Sequence, residues 1–509
     1  MTESRRRSGM DSSVPTPRAG GHYDVLILGA GWGGLAAASL LAKAGRRVAV
    51  LEAQDRAGGC GQSFTRQGFS FCAEMQYLMG CGPGGVVERW LHELELDEVV
   101  KFNSLDPEGF DRIDLPGCSF RIPIGPNRLE AALIAAFPAD QKPLTDLFAI
   151  LRRMEAELAA SGIDLKRLEH HPFEFKETVL YGPWPVARVF EHLGLSSRVR
   201  GVLAGQCGDV ALTPKEEPLL CLHALLFGYG ESAHFPRRGM GFFVDRVVDY
   251  LTSHRGQVIY DTPVTRLVRD GDRIAGVETP HGSFSADLVI SNIDPTRTFA
   301  MIEGAPAPRY EQSDSCFTIF LGLDVDLGAM GFGRFNVWSY PDENLDAAVE
   351  RTTVSHDYGD PSFFLLTPSL YADPGVLAPL GQTTVQINVL SDFDWFATLA
   401  QDGRHHTETT RIADEILAAV ERRLIPGLRR HCIVQEAWSP VDLAAHAGLE
   451  RGGIYGARLD LQNRVLHRVS RRTPFKNLYL TGATAGSPGL QGVVSASMRL
   501  VARLVATTG

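Results

Sequence analysis

Positive charge is in deficit in this 509-residue chain: 50 Lys and Arg face 60 Asp and Glu, for a formal charge of −10. Tight binding to nucleic acid rests on a surplus of basic side chains against phosphates, so this balance excludes a nucleic-acid partner. Lysine is the scarcest cation, confined to Lys43, Lys101, Lys142, Lys166, Lys176, Lys215 and Lys476. The 8 cysteines include no Cys-x-x-Cys pair. A core of this size needs no disulfide staples, so they read as reduced thiols in a cytoplasmic protein. No His-Glu-x-x-His, Lys-bearing phosphate loop or Gly-x-Ser-x-Gly appears, and the 15 histidines show no metal-ligand spacing, His170-His171 and His405-His406 reading as loop residues. No metal site is expected. An unbroken apolar run of membrane-spanning length is also missing: residues 25–44 come nearest, but glycines 29, 31, 33 and 34 interrupt them. Residues 1–21 hold Arg5, Arg6 and Arg7 and no apolar stretch, so a disordered tail is expected rather than a secretory signal. Residues 219–229 are apolar but too short to span, which leaves a buried core helix or peripheral attachment at a membrane surface.

What is present, 44% hydrophobic and 22% charged residues, suits two or three domains with substantial cores. Tyr23-Asp-Val-Leu-Ile-Leu28 reads as a strand, Leu35 to Ala44 as a helix stopped by Gly45, and Arg47 to Glu52 as a second strand. Between the first strand and the helix, Gly29-Ala-Gly31-Trp-Gly-Gly34 satisfies Gly-x-Gly-x-x-Gly in the setting that gives the pattern meaning. Gly29 permits the tight turn, Gly31 lets backbone approach a pyrophosphate, and Gly34 lets helix pack on strand. The helix amides then face the negative charge. Glu52, followed by Ala53, ends the second strand where a carboxylate would accept from an adenosine ribose. Arg56-Ala-Gly58-Gly59 offers a second close backbone approach, which favours FAD over a simple nicotinamide cofactor. Strand signals return at residues 257–260, 273–278 and 286–291, and an alternating run spans 384–390. Helical periodicity runs over 140–168 and 411–424. Near the C-terminus Leu478-Tyr-Leu-Thr-Gly482 leads to Gly489-Leu490-Gln491-Gly492-Val493, repeating the logic of strand, glycine-rich loop and helix start.

These features resemble the FAD-dependent phytoene desaturase, carotenoid isomerase and retinol saturase superfamily, from about Tyr23 to Val505. Phe235-Pro-Arg-Arg-Gly239-Met240-Gly241 is similar to an element preceding that group's second FAD-binding stretch, and Thr262-Pro-Val264-Thr-Arg-Leu267 to its adenine-contacting strand, with Val264 the contact. Further matches are Ala286 to Pro295, Ser369 to Pro374 with Ala378 to Gly381, and Gly452-Gly453-Ile-Tyr455-Gly456. Gly58-Gly59-Cys60 followed by Gln62-Ser-Phe64 looks closest to the retinol saturase branch. The chain departs from the pattern at Cys72-Ala-Glu74-Met-Gln76-Tyr77 and at Arg238, which replaces a glycine. Flavin amine oxidases share the N-terminal loop but usually carry glutamate after the glycine matching Gly482, where this chain has Ala483.

The resemblance implies an α/β fold: a Rossmann-like FAD-binding domain on a parallel sheet with an inserted α+β substrate-binding domain. The FAD domain would comprise residues 22–110, 236–298 and 441–509, and the substrate domain residues 111–235 and 299–440. It implies an oxidoreductase that desaturates or saturates C–C bonds of an apolar polyene-like substrate such as a carotenoid, retinoid or polyketide chain. A cis/trans isomerase, an amine oxidase and an inactive flavoprotein partner are the alternatives. The electron acceptor or donor is unassigned. For proton handling the candidates are Glu74, Gln76, Tyr77 and Arg238. Glu74 facing solvent and Arg238 paired with a structural acid are the plainer alternatives. Wall candidates for a dry slot are Phe173, Phe175, Tyr181, Trp184, Phe227, Tyr229, Phe332, Phe335, Trp338 and Tyr340.

Overall fold

The structure, a computed structural model, describes residues 21–161, 173–231, 233–460 and 469–506. Nearly all of the expected tail, the pair His170-His171 and the end of the 140–168 helical run lie outside the described residues.

The strand His22–Leu28 is buried on both faces from Val25 to Leu28, as a strand between two layers requires, with Asp24 half-buried and His22 exposed. It pairs in parallel with Val48–Leu51 on one side and with Gly282–Ser291 on the other. Gly256–Ile259 extends the first side and Leu478–Leu480 the second, also in parallel. The parallel sheet is therefore assembled from three remote pieces of chain. A hairpin of Arg266–Asp270 and Arg273–Thr279 continues it in antiparallel pairing. Residues 262–265, expected to begin a strand, form a loop because Pro263 has no N–H to give a ladder. The helix Trp32–Lys43 packs against Gly489–Ala506 and Gly239–Ser253.

The second sheet has the order Cys432–Trp438, Ser315–Leu323, Thr383–Ser391, Phe363–Leu366, Asn336–Ser339, Asp111–Leu115, Cys118–Ile122. Its register sets Trp438, Thr318, Asn388, Phe364, Trp338 and Ile113 opposite one another across six strands. Residues in such a row share one face. The alternate positions, including Ile319, Leu365 and Ile387, turn to the other face and meet Ile412, Ile416 and Val420 of the helix His405–Arg423. His405 and His406 open that helix rather than lying in a loop, with His405 Nε2 2.7 Å from Ser439 Oγ.

Residues 219–229 fall in the helix Leu219–Glu231, where Leu219, Leu222, Leu225, Leu226 and Tyr229 are all buried. Most of this apolar stretch is thus buried within the protein, while Ala224 is exposed. No described helix is long and apolar enough to cross a membrane.

Candidate functional site

At the end of the parallel sheet the glycine-rich segments converge. The helix Trp32–Lys43 has no side-chain cap, which leaves its first amides free for an anion. Gly58 N donates to Ala30 O at 2.9 Å, so the second glycine pair lies against the first loop. A Cβ on Gly33 would stand 2.6 Å from Asn292 Oδ1 and 2.9 Å from Gly482 N, and one on Gly34 would overlap the Gly29 carbonyl oxygen. Ser497 Oγ donates to Gly33 O at 3.0 Å. Opposite ends of the chain thus meet at one cradle. Glu52 accepts from Ala30 N (2.6 Å) and Gln54 N (2.9 Å), and burial pushes its carboxyl up against the pull of these amides.

A cavity of about 950 Å³ begins at the cradle and continues over the second sheet. Gly29, Gly31, Glu52, Ala53, Arg56, Gly58, Gly59, Val264, Gly482 and the run Gly489, Leu490, Gln491, Gly492, Val493 line it. Gly34 does not, and its place is the helix–strand contact. Among the described residues, Trp32 Nε1, Gln491 Oε1 and Asn388 Oδ1 are buried without a hydrogen-bond partner, and all three side chains line this cavity. Free helix amides, a backbone cradle with no room for a Cβ, a ribose-position carboxylate and orphaned polar atoms are what FAD requires of its site.

Beyond the cradle, Asn388, Phe364 and Trp338 of the strand row form the floor, with Phe364 and Trp338 stacked at 3.9 Å. Facing them are Leu220, Cys221, Ala224, Leu225, Gly228 and Tyr229, spaced as one face of a helix. Two polar clusters interrupt this apolar slot.

The first surrounds Glu74. Its carboxylate accepts from Thr318 Oγ1 (2.7 Å), Gln76 Nε2 (3.2 Å) and Asn388 Nδ2 (3.4 Å), and burial pushes it up to about 7. Glu74 faces the cavity, not bulk solvent.

The second centres on Asp111, fully buried and accepting from Tyr77 OH (3.1 Å), Gln206 Nε2 (2.6 Å), Trp338 Nε1 (3.1 Å) and Asn336 Nδ2 (2.6 Å). Tyr77 stacks on Tyr229 at 4.7 Å, and Tyr229 hydrogen-bonds Asp209. Burial, with the Asp111 charge beside it, holds Asp209 well above the usual carboxylate range.

Of the proton-handling candidates, Glu74, Gln76 and Tyr77 line the cavity, although the Tyr77 hydroxyl is committed to Asp111. Arg238 is a correction: it is exposed, lies outside the cavity and stacks on the Phe242 ring at 4.0 Å, because the turn before Gly239–Ser253 points it to solvent. Of the wall aromatics, Tyr229, Trp338 and Tyr340 line the cavity. Phe173 is 97% exposed, and Phe175 is buried in core away from it. Sequence reading missed Asp111, Asp209, Phe364 and Asn388. Among the described residues no group of three His, Cys, Asp or Glu side chains could hold a metal ion.

A neighbouring buried acid gives a stability test. Glu217, whose Oε2 takes the Cys207 thiol at 2.6 Å, is pushed up to about 7 by burial. The native state then keeps a proton that the unfolded chain releases near 4.5, so this group's contribution falls as pH rises from about 4.5 to about 7. Glu217→Gln is expected to raise stability by about 3 kcal/mol at pH 8 and to change little at pH 4. Urea unfolding at both values checks it, and an equal change at the two rejects it.

Among known proteins, the all-trans-retinol 13,14-reductase of Danio rerio is 24% identical over 536 residues, covering 93% of this chain and 84% of that protein. The lycopene-forming phytoene desaturase of Pseudescherichia vulneris is 26% identical, covering 93% and 97%. The crystal structure of a Methanosarcina mazei oxidoreductase shares the fold with a TM-score of 0.66 at 17% identity, covering 94% of this chain and 99% of that one. The sequence profile of flavin containing amine oxidoreductases matches residues 32–298, more than half the chain. The cofactor is FAD and the protein an oxidoreductase. With its two-sheet architecture and a glycine cradle at the head of the parallel sheet, the chain belongs to the flavin-containing amine oxidoreductase family.

Proposed function

We propose that the protein desaturates or saturates a C–C bond of an apolar, polyene-like substrate lying in the slot. The observation that carries this reading is one continuous cavity joining the glycine cradle to a floor of stacked aromatic rings with the Glu74 carboxyl beside it. The sequence relatives named for retinol reduction and lycopene-forming desaturation support it.

Gly29, Gly31, Gly58 and Gly59 would hold the pyrophosphate and ribityl region by backbone contact, Glu52 the ribose, Val264 the adenine, and the amides of residues 489–493 the ring end. When bound, FAD supplies hydride transfer. The chain's own residues do the rest. Phe364 and Trp338 orient an extended, flat substrate, and the apolar helix face opposite excludes water. Glu74, fixed by Thr318, Gln76 and Asn388, takes the proton lost in desaturation or gives the proton gained in saturation. This reading divides the chain into FAD-holding pieces at 22–110, 236–298 and 441–509, with substrate-holding pieces at 111–235 and 299–440.

The test is anaerobic mixing of the purified holoprotein with defined polyenes while the flavin band and the product mass are followed. Bleaching with loss of two hydrogens from the polyene is the expected result for desaturation. For saturation, dithionite-reduced protein should regain the band as the polyene gains two hydrogens. An unchanged mass with a shifted polyene spectrum means isomerisation. No spectral or mass change in either redox state rejects the reading.

A further inference from the structure

We infer that the C-terminal helix Gly489–Ala506 docks an acidic electron-carrier protein at the mouth of the flavin cavity. The inference needs the FAD assignment and not the polyene reading, and it gives the chemical class of the electron donor or acceptor that the reading leaves open.

The first observation is in the sequence. Asp460 is the last acidic residue: the 49 residues after it hold Arg464, Arg468, Arg471, Arg472, Lys476, Arg499 and Arg503 and no Asp or Glu. That segment carries +7 in a chain of −10, which leaves the preceding residues at −17. An acidic partner is repelled by most of such a molecule and attracted at one place.

The second observation is where the fold puts these charges. Arg471 Nη1 donates to Ala496 O at 3.1 Å, which brings Arg471 and Arg472 to the helix that bears Arg499 and Arg503. Arg499 and Arg503 are exposed and one turn apart. Lys476 is spent on Asp272 at 2.6 Å, but among the described residues no ion pair takes up Arg471, Arg472 or Arg499. Burial, and after it the charges of Arg499 and Arg503, hold Arg471 below the usual guanidinium range, and burial with Arg503 does the same for Arg499. Like charges gathered in this way at a surface favour an anionic neighbour. Among the described residues Val505 is the only exposed large hydrophobic on the helix, too little to anchor it in lipid, so the pattern favours a protein over a membrane.

The third observation is proximity to the cofactor site. Gln491, Ser495 and Arg499, spaced as one face of a helix, all line the cavity. Two turns, about 12 Å, separate Gln491 from Arg499. A carrier seated on the arginines is therefore held beside the cavity that takes the flavin. An oxidoreductase must pass on or receive two electrons in each turnover. Two one-electron carriers each take or give one, and two protons are exchanged with water, so the redox change balances.

The experiment uses the holoprotein, with plant-type two-iron ferredoxin, an acidic one-electron carrier, as the probe and basic cytochrome c as the counter-probe. Kd is read by titration onto the immobilised carrier, and electron transfer by bleaching of the flavin band with reduced ferredoxin. Ferredoxin should bind and cytochrome c should not, and the ferredoxin Kd should rise about 10-fold between about 20 and about 200 mM salt. Arg499→Glu with Arg503→Glu should raise the low-salt Kd about 10-fold and slow bleaching in step, while flavin content and bleaching by dithionite stay at wild-type values. Lys142→Glu with Arg429→Glu, the same change of net charge outside the C-terminal segment, should leave Kd within about twofold. Absence of ferredoxin binding, or binding that neither salt nor the Arg499 and Arg503 changes weaken, overturns the inference. So does equal weakening by the two double variants, which reports net charge alone. If the helix variant loses its flavin, the wild-type salt dependence and the cytochrome c comparison decide. Salt-sensitive binding to phosphatidylserine vesicles without ferredoxin binding gives this face to a membrane and rejects the carrier. Ferredoxin binding by a protein that acts on no polyene rejects the polyene reading and leaves this inference standing.

Discussion

Gly34→Ala is expected to yield a colourless protein. The added methyl would overlap the carbonyl oxygen of Gly29 and press on Ile27 Cγ2 at 3.2 Å and Asn292 Cβ at 3.3 Å. The first obstacle is backbone, which has no rotamer to retreat into, so the helix must lift from the strand. That movement drags the first-turn amides away from the anion they are to hold. Overpacking of this kind costs ~3 kcal/mol. A flavin whose grip depends on those amides is lost with them. Gly271→Ala is the matched control. Gly271, unlike Gly34, has a positive φ, +60°, and nothing lies within 4 Å of a Cβ there, so backbone strain alone is tested, at about 1 kcal/mol. The ratio of flavin absorbance to protein after gel filtration should fall to near zero for Gly34→Ala and stay at the wild-type value for Gly271→Ala. A Gly34→Ala protein that keeps its colour would show that the cradle does not depend on this contact.

Glu74→Gln is expected to lower the rate of the half-reaction on a polyene by about 100-fold or more, the range of positioned acid–base groups. Side-chain shape is nearly preserved and Glu74 is not part of the glycine cradle, so flavin content should not change. The pH profile is the sharper readout. With its carboxyl near 7, the wild-type rate should inflect there, rising with pH if the carboxylate removes a proton and falling if the acid delivers one. The glutamine variant should be flat through that region. An inflection near 7 that survives the substitution would assign the proton to another group and remove Glu74 from the mechanism.

The cradle was legible in the sequence because it is local. Three glycines between a strand and a helix, then Glu52 and a further glycine pair, read as a pattern wherever the rest of the chain goes. The C-terminal run from Gly482 to Val493 was legible for the same reason, although only the structure sets Gly482 against Gly33. Glu74 stood out as a departure in a glycine-flanked segment. Asp111, Asp209 and Asn388 carried no such mark. Asp111 gains its meaning from Asn336 and Trp338, more than 200 positions away on a parallel neighbour strand, and Asn388 gains its own from a cross-strand row. The signal available for Asn388 was a polar residue in the middle of the alternating run at 384–390, on the face shared with Thr384 and Gln386. Arg238 misled because a change of residue type at a family glycine says nothing about which way the turn points the side chain. Aromatic richness likewise failed to separate Trp338, whose strand faces the slot, from Phe173, which faces water.

Leu478–Leu480 and Gly489–Ala506 come last in the chain, yet the former pairs with Gly282–Ser291 and the latter packs on the first helix. During synthesis the ribosome therefore releases every other part of the cofactor site before the piece that closes it, so the nascent chain cannot complete its grip on FAD until the helix Gly489–Ala506 has emerged.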